Sequence, residues 1–417
     1  MRRIWRATLA VSVAVASAGA FPAPPAPPAV AAPKDNCAEP GQVITQVPWP
    51  QQMFGPERIW PFAQGRGITV AVLDSGVDGN HPQLRGHVSA GFDATGNGGP
   101  ANTDCTGTGT RVAGVIAAQA TGSGGFSGLA PGVTILPVRV TDKQTFGPST
   151  AEPAVLARGI DAAVARGAKV VAISTVSYSG SPALQESVAK AQAKGVILVA
   201  AVGDLGDANG GNPQPYPAGY DGVIGVGAIG PDSARWQNSQ HGDYVDLVAP
   251  GADVLSLQRG RGMAAGVNGT GVACGFVAAT VALTRAKRGD LDARELIRLL
   301  FATATPAAGG DDYGHGIVNP YAALNDQLSD QKPVAMRPMT RPADPGAGVW
   351  ARSRQLALIG TTGVLAVGFV LVFVAIALPR GRRRFWRSTI ARPVPTRSDP
   401  TEPGPPLQLF DESRPTA

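Results

Sequence analysis

Two aspartates stand at the ends of apolar, β-branched runs: Asp74 closes GITVAVLD and Asp204 follows VILVAAVG. Such runs read as buried strands, and in an open parallel sheet function collects at the carboxyl ends of strands. Two acids so placed raise the chemistry of a pair sharing one proton. A second candidate is Cys274, which lies in an apolar, small-residue run. A thiol attacks only when a base or cationic partner lowers its pKa. No such partner stands near Cys274, which reads as a small buried hydrophobe. His81, His87, His241 and His315 are the available bases, and each falls in a segment that reads as structural. Asp78, Asp93 and Asp104 are scattered and make no calcium loop. The cysteine spacing matches no zinc site. No metal and no cofactor is expected.

The elements that must position these residues alternate. GITVAVLD, VTILPVRV, KVVAIST and VILVAAVG read as strands. TRVAGVIAAQ, AVLARGIDAAVARGA and LQESVAKAQAKG, the last ended by Gly195, read as helices. This alternation predicts an α/β domain, a mostly parallel sheet with helices on both faces.

The motifs together resemble the subtilisin-like serine proteases. VAVLDSGVDGNHPQL is similar to that family's aspartate motif, and NGTGVACGFVAATVAL to its serine motif. GLAPGVTILPVRV, YPAGYDGVIGVGAI and VDLVAPGADVLS resemble its structural segments in the same order, so the resemblance runs from about Pro56 to Leu324. DCTGTGTRVAGVIAAQ has the shape of the histidine motif without a histidine. The resemblance implies Asp74 as the retained triad aspartate, Thr108 in the histidine position, Gly271 in the serine position and Asp204 in place of the oxyanion asparagine. Gly275 replaces the proline that follows the serine. It also implies that Asp74 and Asp204 serve opposite sides of a scissile bond, which argues against an acid pair. Asn209 could stand in for the amide, to little effect without a nucleophile.

The flanks add a membrane character. Arg2, Arg3 and Arg6 precede the short apolar run Ala7–Ala20, which reads as a secretory signal. Residues 1–31 form that signal and a Pro-rich start, and 32–55 an N-terminal extension. The subtilisin-like domain is expected over 56–330 and a Pro-rich linker over 331–355. The uncharged run Leu356–Leu378 is long enough to span a bilayer. Residues 379–417 follow as a basic, Pro-rich tail. The net charge of +6 is concentrated in the N-terminal arginines and in Arg380–Arg387. That is a topology signal, so no nucleic acid is expected. A single-pass type I protein of the cell membrane follows, with its domain outside the cytoplasm. There, disulfides are permitted. Of three cysteines, Cys37 and Cys105 share polar contexts and are expected to be bridged, leaving Cys274 reduced.

These flanks are similar to those of the mycosins, the membrane-anchored subtilases of type VII secretion systems. The resemblance implies secretion-complex subunits as partners. The expected function is a catalytically inactive pseudoprotease with a structural role. Two alternatives stay open: a non-cleaving module that holds extended peptides in the old cleft, and a divergent endopeptidase that retains activity.

Overall fold

Six short apolar runs and the two-residue strand Phe92–Asp93 form one wholly parallel sheet in the computed structural model of the chain, with strand order β2-β3-β1-β4-β5-β6-β7. The structure describes residues 37–96, 98–120, 125–142, 150–207, 209–307, 310–327 and 347–383. The expected signal, the Pro-rich start, most of the linker and nearly all of the tail lie outside them.

The elements run α1 (Trp49–Phe54), α2 (Pro56–Ile59), β1 (Thr69–Asp74), β2 (Phe92–Asp93), α3 (Thr108–Ala117), β3 (Thr134–Arg139), α4 (Pro153–Ala165), β4 (Val170–Ile173), α5 (Pro182–Ala193) and β5 (Ile197–Ala201). They continue with β6 (Ile224–Ile229), β7 (Leu247–Pro250), β8 (Val254–Leu257), β9 (Met263–Val267), α6 (Thr270–Lys287), α7 (Ala293–Ala302), α8 (Pro320–Asn325) and α9 (Ala347–Arg383).

Alternation along each strand divides the core in two. Val70 and Val72 of β1, Val170 and Ala172 of β4, and Ile197 and Val199 of β5 pack with α3 and α6. Ala71 and Leu73, Val171 and Ile173, and Leu198 and Ala200 pack on the other face with Leu156 and Ile160 of α4 and Leu184 and Val188 of α5. Strands apolar on both faces belong to a sheet covered on both sides. The fold is α/β, a parallel sheet covered by helices on both faces.

The central helix α6 crosses α3 closely, and Gly275 makes that possible. A Cβ there would lie 2.7 Å from Val115 Cγ2. Gly275, which the resemblance puts in place of a proline, thus lies where the two helices touch.

The N-terminal extension is held covalently and by backbone pairing. Cys37 and Cys105 form a disulfide across 68 residues. The Ala38 amide donates to Cys105 O at 2.9 Å, and the Met263 amide to Gln42 O at 2.8 Å, which lays the extension on the β8–β9 hairpin.

The chain divides into two units, one through Asp330 and one from Gln331. In the second, α9 is longer than the apolar run at both ends and continues through Pro379 to Arg383. Its segment Arg352–Arg382 is long and apolar enough to cross a membrane. Those 31 residues make about 46 Å of helix at 1.5 Å per residue, against a hydrocarbon core of about 30 Å. The terminal arginines therefore have length to spare for both headgroup layers.

Candidate functional site

Asp74 is the last residue of β1 and only 2% exposed. Its Oδ1 accepts from the Ser75 amide at 2.7 Å and from the Thr108 hydroxyl at 2.5 Å. Its Oδ2 accepts a short hydrogen bond from the Ser174 hydroxyl. Burial pushes the carboxyl above the ordinary aspartate value, and the Ser174, Thr108 and Ser75 bonds oppose that rise without cancelling it.

Thr108 opens α3 behind Gly107, whose φ of 83° is left-handed. The preceding loop is organised by Asp104. Its Oδ1 accepts from the Gly107 amide at 2.8 Å and the Ser75 hydroxyl at 2.8 Å, and its Oδ2 from the Thr110 amide at 2.9 Å and hydroxyl at 2.6 Å. Thr108 and Ser75 lie 2.8 Å apart through their hydroxyl oxygens. With the Ser75 proton given to Asp104 and the Thr108 proton to Asp74, both hydroxyls have a carboxylate acceptor.

Ser174 is the residue that sequence reasoning missed. It follows β4, which pairs with β1 in the register Leu73↔Ile173. That neighbour relation sets its hydroxyl against Asp74. Gly271, in the first turn of α6, packs on it: a Cβ on Gly271 would lie 2.8 Å from Ser174 O and 3.1 Å from Ser174 Cβ. The structure thus brings Thr108 and Ser174 to the two oxygens of Asp74, with Gly271 packed on Ser174.

Asp204 follows β5 and meets the other side of the same helix end. Its Oδ1 accepts from the Thr270 amide at 2.8 Å and hydroxyl at 2.7 Å. Gly269, the N-cap of α6, has no side chain to offer, so Asp204 supplies the cap from a distant strand. Burial pushes this carboxyl up as well, against the two Thr270 bonds. Burial also raises the Tyr178 hydroxyl, and the Asp204 charge beside it adds to the rise.

The other candidates are structural. His81 is 1% exposed; its Nδ1 accepts from the Gln83 amide at 3.2 Å, which leaves Nε2 to donate to Gly262 O at 3.1 Å. Burial lowers its pKa, and the bond fixes a neutral tautomer. His87 contacts Val133 O, His241 pairs with Asp312, and the His315 ring stacks on Phe301. Cys274 is fully buried and free, with Sγ 3.3 Å from Val199 O, and burial pushes its thiol far up. It is no nucleophile.

A cleft of about 350 Å³ opens beside this network, walled by Ser75, Asp93, Asp104, Arg139 and the disulfide. Arg139 is fully engaged there, on Asp93 Oδ2 at 2.9 Å, Ser75 O at 3.0 Å and Thr103 O at 2.6 Å. Past β4, backbone edges are partly consumed: Val176 O accepts from the Ala151 amide at 3.0 Å, and Ser177 pairs both ways with Tyr216.

Comparison with known proteins places this geometry. Thermitase from Thermoactinomyces vulgaris is 36% identical over 281 residues, covering 66% of this chain and 96% of thermitase. Subtilisin DY from Bacillus licheniformis is 34% identical over 260 residues, covering 62% of this chain and 92% of the subtilisin. Among solved structures, MycP1 with its N-terminal propeptide removed matches with a TM-score of 0.62 at 28% identity, over 69% of this chain and 99% of that one. The MycP3 protease from the type VII (ESX-3) secretion system matches at 0.61 and 27%, over 70% and 93%. MycP1 from Mycobacterium smegmatis matches at 0.62 and 26%, over 74% and 94%. The subtilase family itself matches residues 65–322, a stretch that holds Asp74, Ser174, Asp204 and all of α6, and the chain belongs to that family.

Proposed function

We propose that this chain is a catalytically silent, membrane-anchored subtilase of mycosin type, serving as a structural component of a type VII secretion membrane complex. The carrying observation is what surrounds Asp74. Its oxygens are taken by the Thr108 and Ser174 hydroxyls and the Ser75 amide, and none of these partners is an imidazole. In a working triad that aspartate holds a histidine in the right tautomer, and the histidine takes the serine's proton.

On this reading Thr108 occupies the histidine position, Gly271 the serine position and Asp204 the oxyanion position. A threonine hydroxyl accepts no proton near neutral pH. Glycine has no nucleophile. A carboxylate repels the charge that an oxyanion hole must stabilise. In subtilisin, loss of serine or histidine alone lowers kcat by about a millionfold, a value that belongs to subtilisin rather than to this chain. Likeness to MycP1 and MycP3 supports the partner class. The helix α9 supports anchoring, with Arg380 and Arg382 on the cytoplasmic side, and the disulfide suits an oxidising compartment. A peptide-holding cleft is the weaker reading, because Val176 and Ser177 already spend backbone groups on their own chain.

The test is restoration. The unaltered chain is expected to cleave no member of a fluorogenic peptide panel above the buffer blank. The triple variant Thr108→His, Gly271→Ser, Asp204→Asn is expected to gain cleavage. Cleavage by the unaltered chain that disappears with Asp74→Ala overturns the inactive reading. Affinity isolation from solubilised membranes that recovers no secretion-complex subunit overturns the structural role.

A further inference from the structure

The described residues of the domain expose two aromatic side chains, Phe62 at 45% and Tyr321 at 39%, and these two are neighbours. Their rings meet edge to face with centroids 6.0 Å apart. Each carries a cation on its face: Lys287 Nζ lies 4.5 Å from the Phe62 centroid, and the Arg58 guanidinium 5.2 Å from that of Tyr321. Two rings and two cations are thus gathered from separate parts of the chain: α2 and the turn after it, the last turn of α6, and α8.

The surroundings continue the pattern. Exposed Arg66 borders a hollow of about 320 Å³ beside Phe62, lined also by Pro61, Gln64 and Ala286. The Arg288 guanidinium is anchored on Leu324 O at 3.0 Å, at the C-terminal end of α8. Across this face Arg58, Arg66, Lys287 and Arg288 outnumber Glu57 and Asp326. Rings that sit at headgroup level, with cations reaching past them toward phosphate, are the composition of a membrane–water interface.

The position in the chain agrees. Tyr321 belongs to α8, the last described helix of the domain, which ends at Asn325; the apolar segment of α9 begins at Arg352. A tether of that length holds the domain at high effective concentration near any bilayer that α9 enters. Attraction too weak to bind lipid from solution is then sufficient.

We propose that the face built from Phe62, Tyr321, Arg58 and Lys287 docks on an anionic phospholipid surface and holds the tethered domain down on its own membrane. The inference rests on the membrane-anchored reading above and deepens it.

The full chain, reconstituted in nanodiscs of phosphatidylcholine with or without phosphatidylglycerol, tests it by hydrogen exchange. Segments 56–66 and 320–325 are expected to exchange more slowly in the anionic discs, and added salt should remove the difference. Each cation lost is expected to weaken docking roughly fivefold and each reversal roughly 25-fold, so Arg58→Glu with Lys287→Glu should abolish the protection. Phe62→Ser should weaken it without altering the salt effect. Equal exchange in both discs, with the chain retained in them, overturns the docking face and leaves the anchor standing. Protection that appears only when a membrane protein fraction is added assigns the face to a protein partner and overturns the lipid proposal. A chain recovered outside the discs overturns the anchor, and the docking proposal with it.

Discussion

Asp74 and Asp204 each follow a buried parallel strand, β1 and β5, and burial pushes both carboxyls above the ordinary aspartate value. Their partners differ. Asp74 is held by side-chain hydroxyls from α3 and from the end of β4, and by the amide next to it. Asp204 is held by a helix terminus, where it replaces a cap that Gly269 cannot provide. The first arrangement keeps an acid in a network that other polar side chains could satisfy. The second gives an acid a mechanical task that persists without any chemistry. A buried aspartate at a strand end with a raised pKa therefore need not signal catalysis, since capping a helix accounts for Asp204.

The largest expected effect separates the two regions. Replacing Cys37 and Cys105 by serine releases a loop of 68 residues, which loop entropy values at about 4 kcal/mol. The loss should fall on the Asp74 side, because Cys105 adjoins Asp104 and the loop leading to Thr108. Denaturant midpoints give the size. Hydrogen exchange gives the place: amides of α3 are expected to lose protection before those of α6. Equal loss in both helices would make the two regions one unit and erase the distinction.

Gly271→Ala comes next, and it acts where the regions meet. The new Cβ would lie 2.8 Å from Ser174 O, a backbone atom that no rotamer change can move. Overpacking of this kind costs about 1–3 kcal/mol. The same contact limits the restored serine variant, whose cleavage should remain well below that of an active subtilase. A change in thermal midpoint indistinguishable from zero would show that the Ser174 segment gives way freely.

The smallest effect is in pH dependence. A carboxyl whose folded-state pKa lies above its unfolded value holds its proton more tightly when folded. Stability is then lost as pH rises from the ordinary aspartate value of 3.8 through the raised one. Asp74→Asn and Asp204→Asn should each flatten that decline, seen as urea midpoints that change less with pH than those of the unaltered chain. They should differ in baseline. In Asp204→Asn the new amide can keep its oxygen on Thr270, whereas in Asp74→Asn one neighbouring hydroxyl must turn round to accept from the amide nitrogen. A steeper decline in either variant would contradict burial as the dominant cause.

The fold was legible because its strands are continuous apolar runs and its helices have regular spacing. The disulfide was legible from the polar context of Cys37 and Cys105 against the apolar run around Cys274. Asp74 announced itself at a strand end. Ser174 did not, since its link to Asp74 is a sheet-neighbour relation across 100 positions, and no local pattern marks which strand will lie beside which. The cap by Asp204 was hidden for the same reason: capping signals are sought within a few residues of a helix start, and this one comes from 66 positions away. The long-range contacts that convert a strand end into a site are the part that sequence order leaves unstated.

The bridge between Cys37 and Cys105 has a consequence for how a cut chain would behave. It encloses the exposed positions Gly98 and Pro100, so a protease that nicks the backbone there yields two pieces of one molecule. On a gel without reductant the nicked and intact forms would run together, and only reduction would release a fragment ending near residue 98. Trimming ahead of Cys37 would shed its peptide at once. A pair of gels, with and without reductant, can therefore tell removal of a leader from an internal cut.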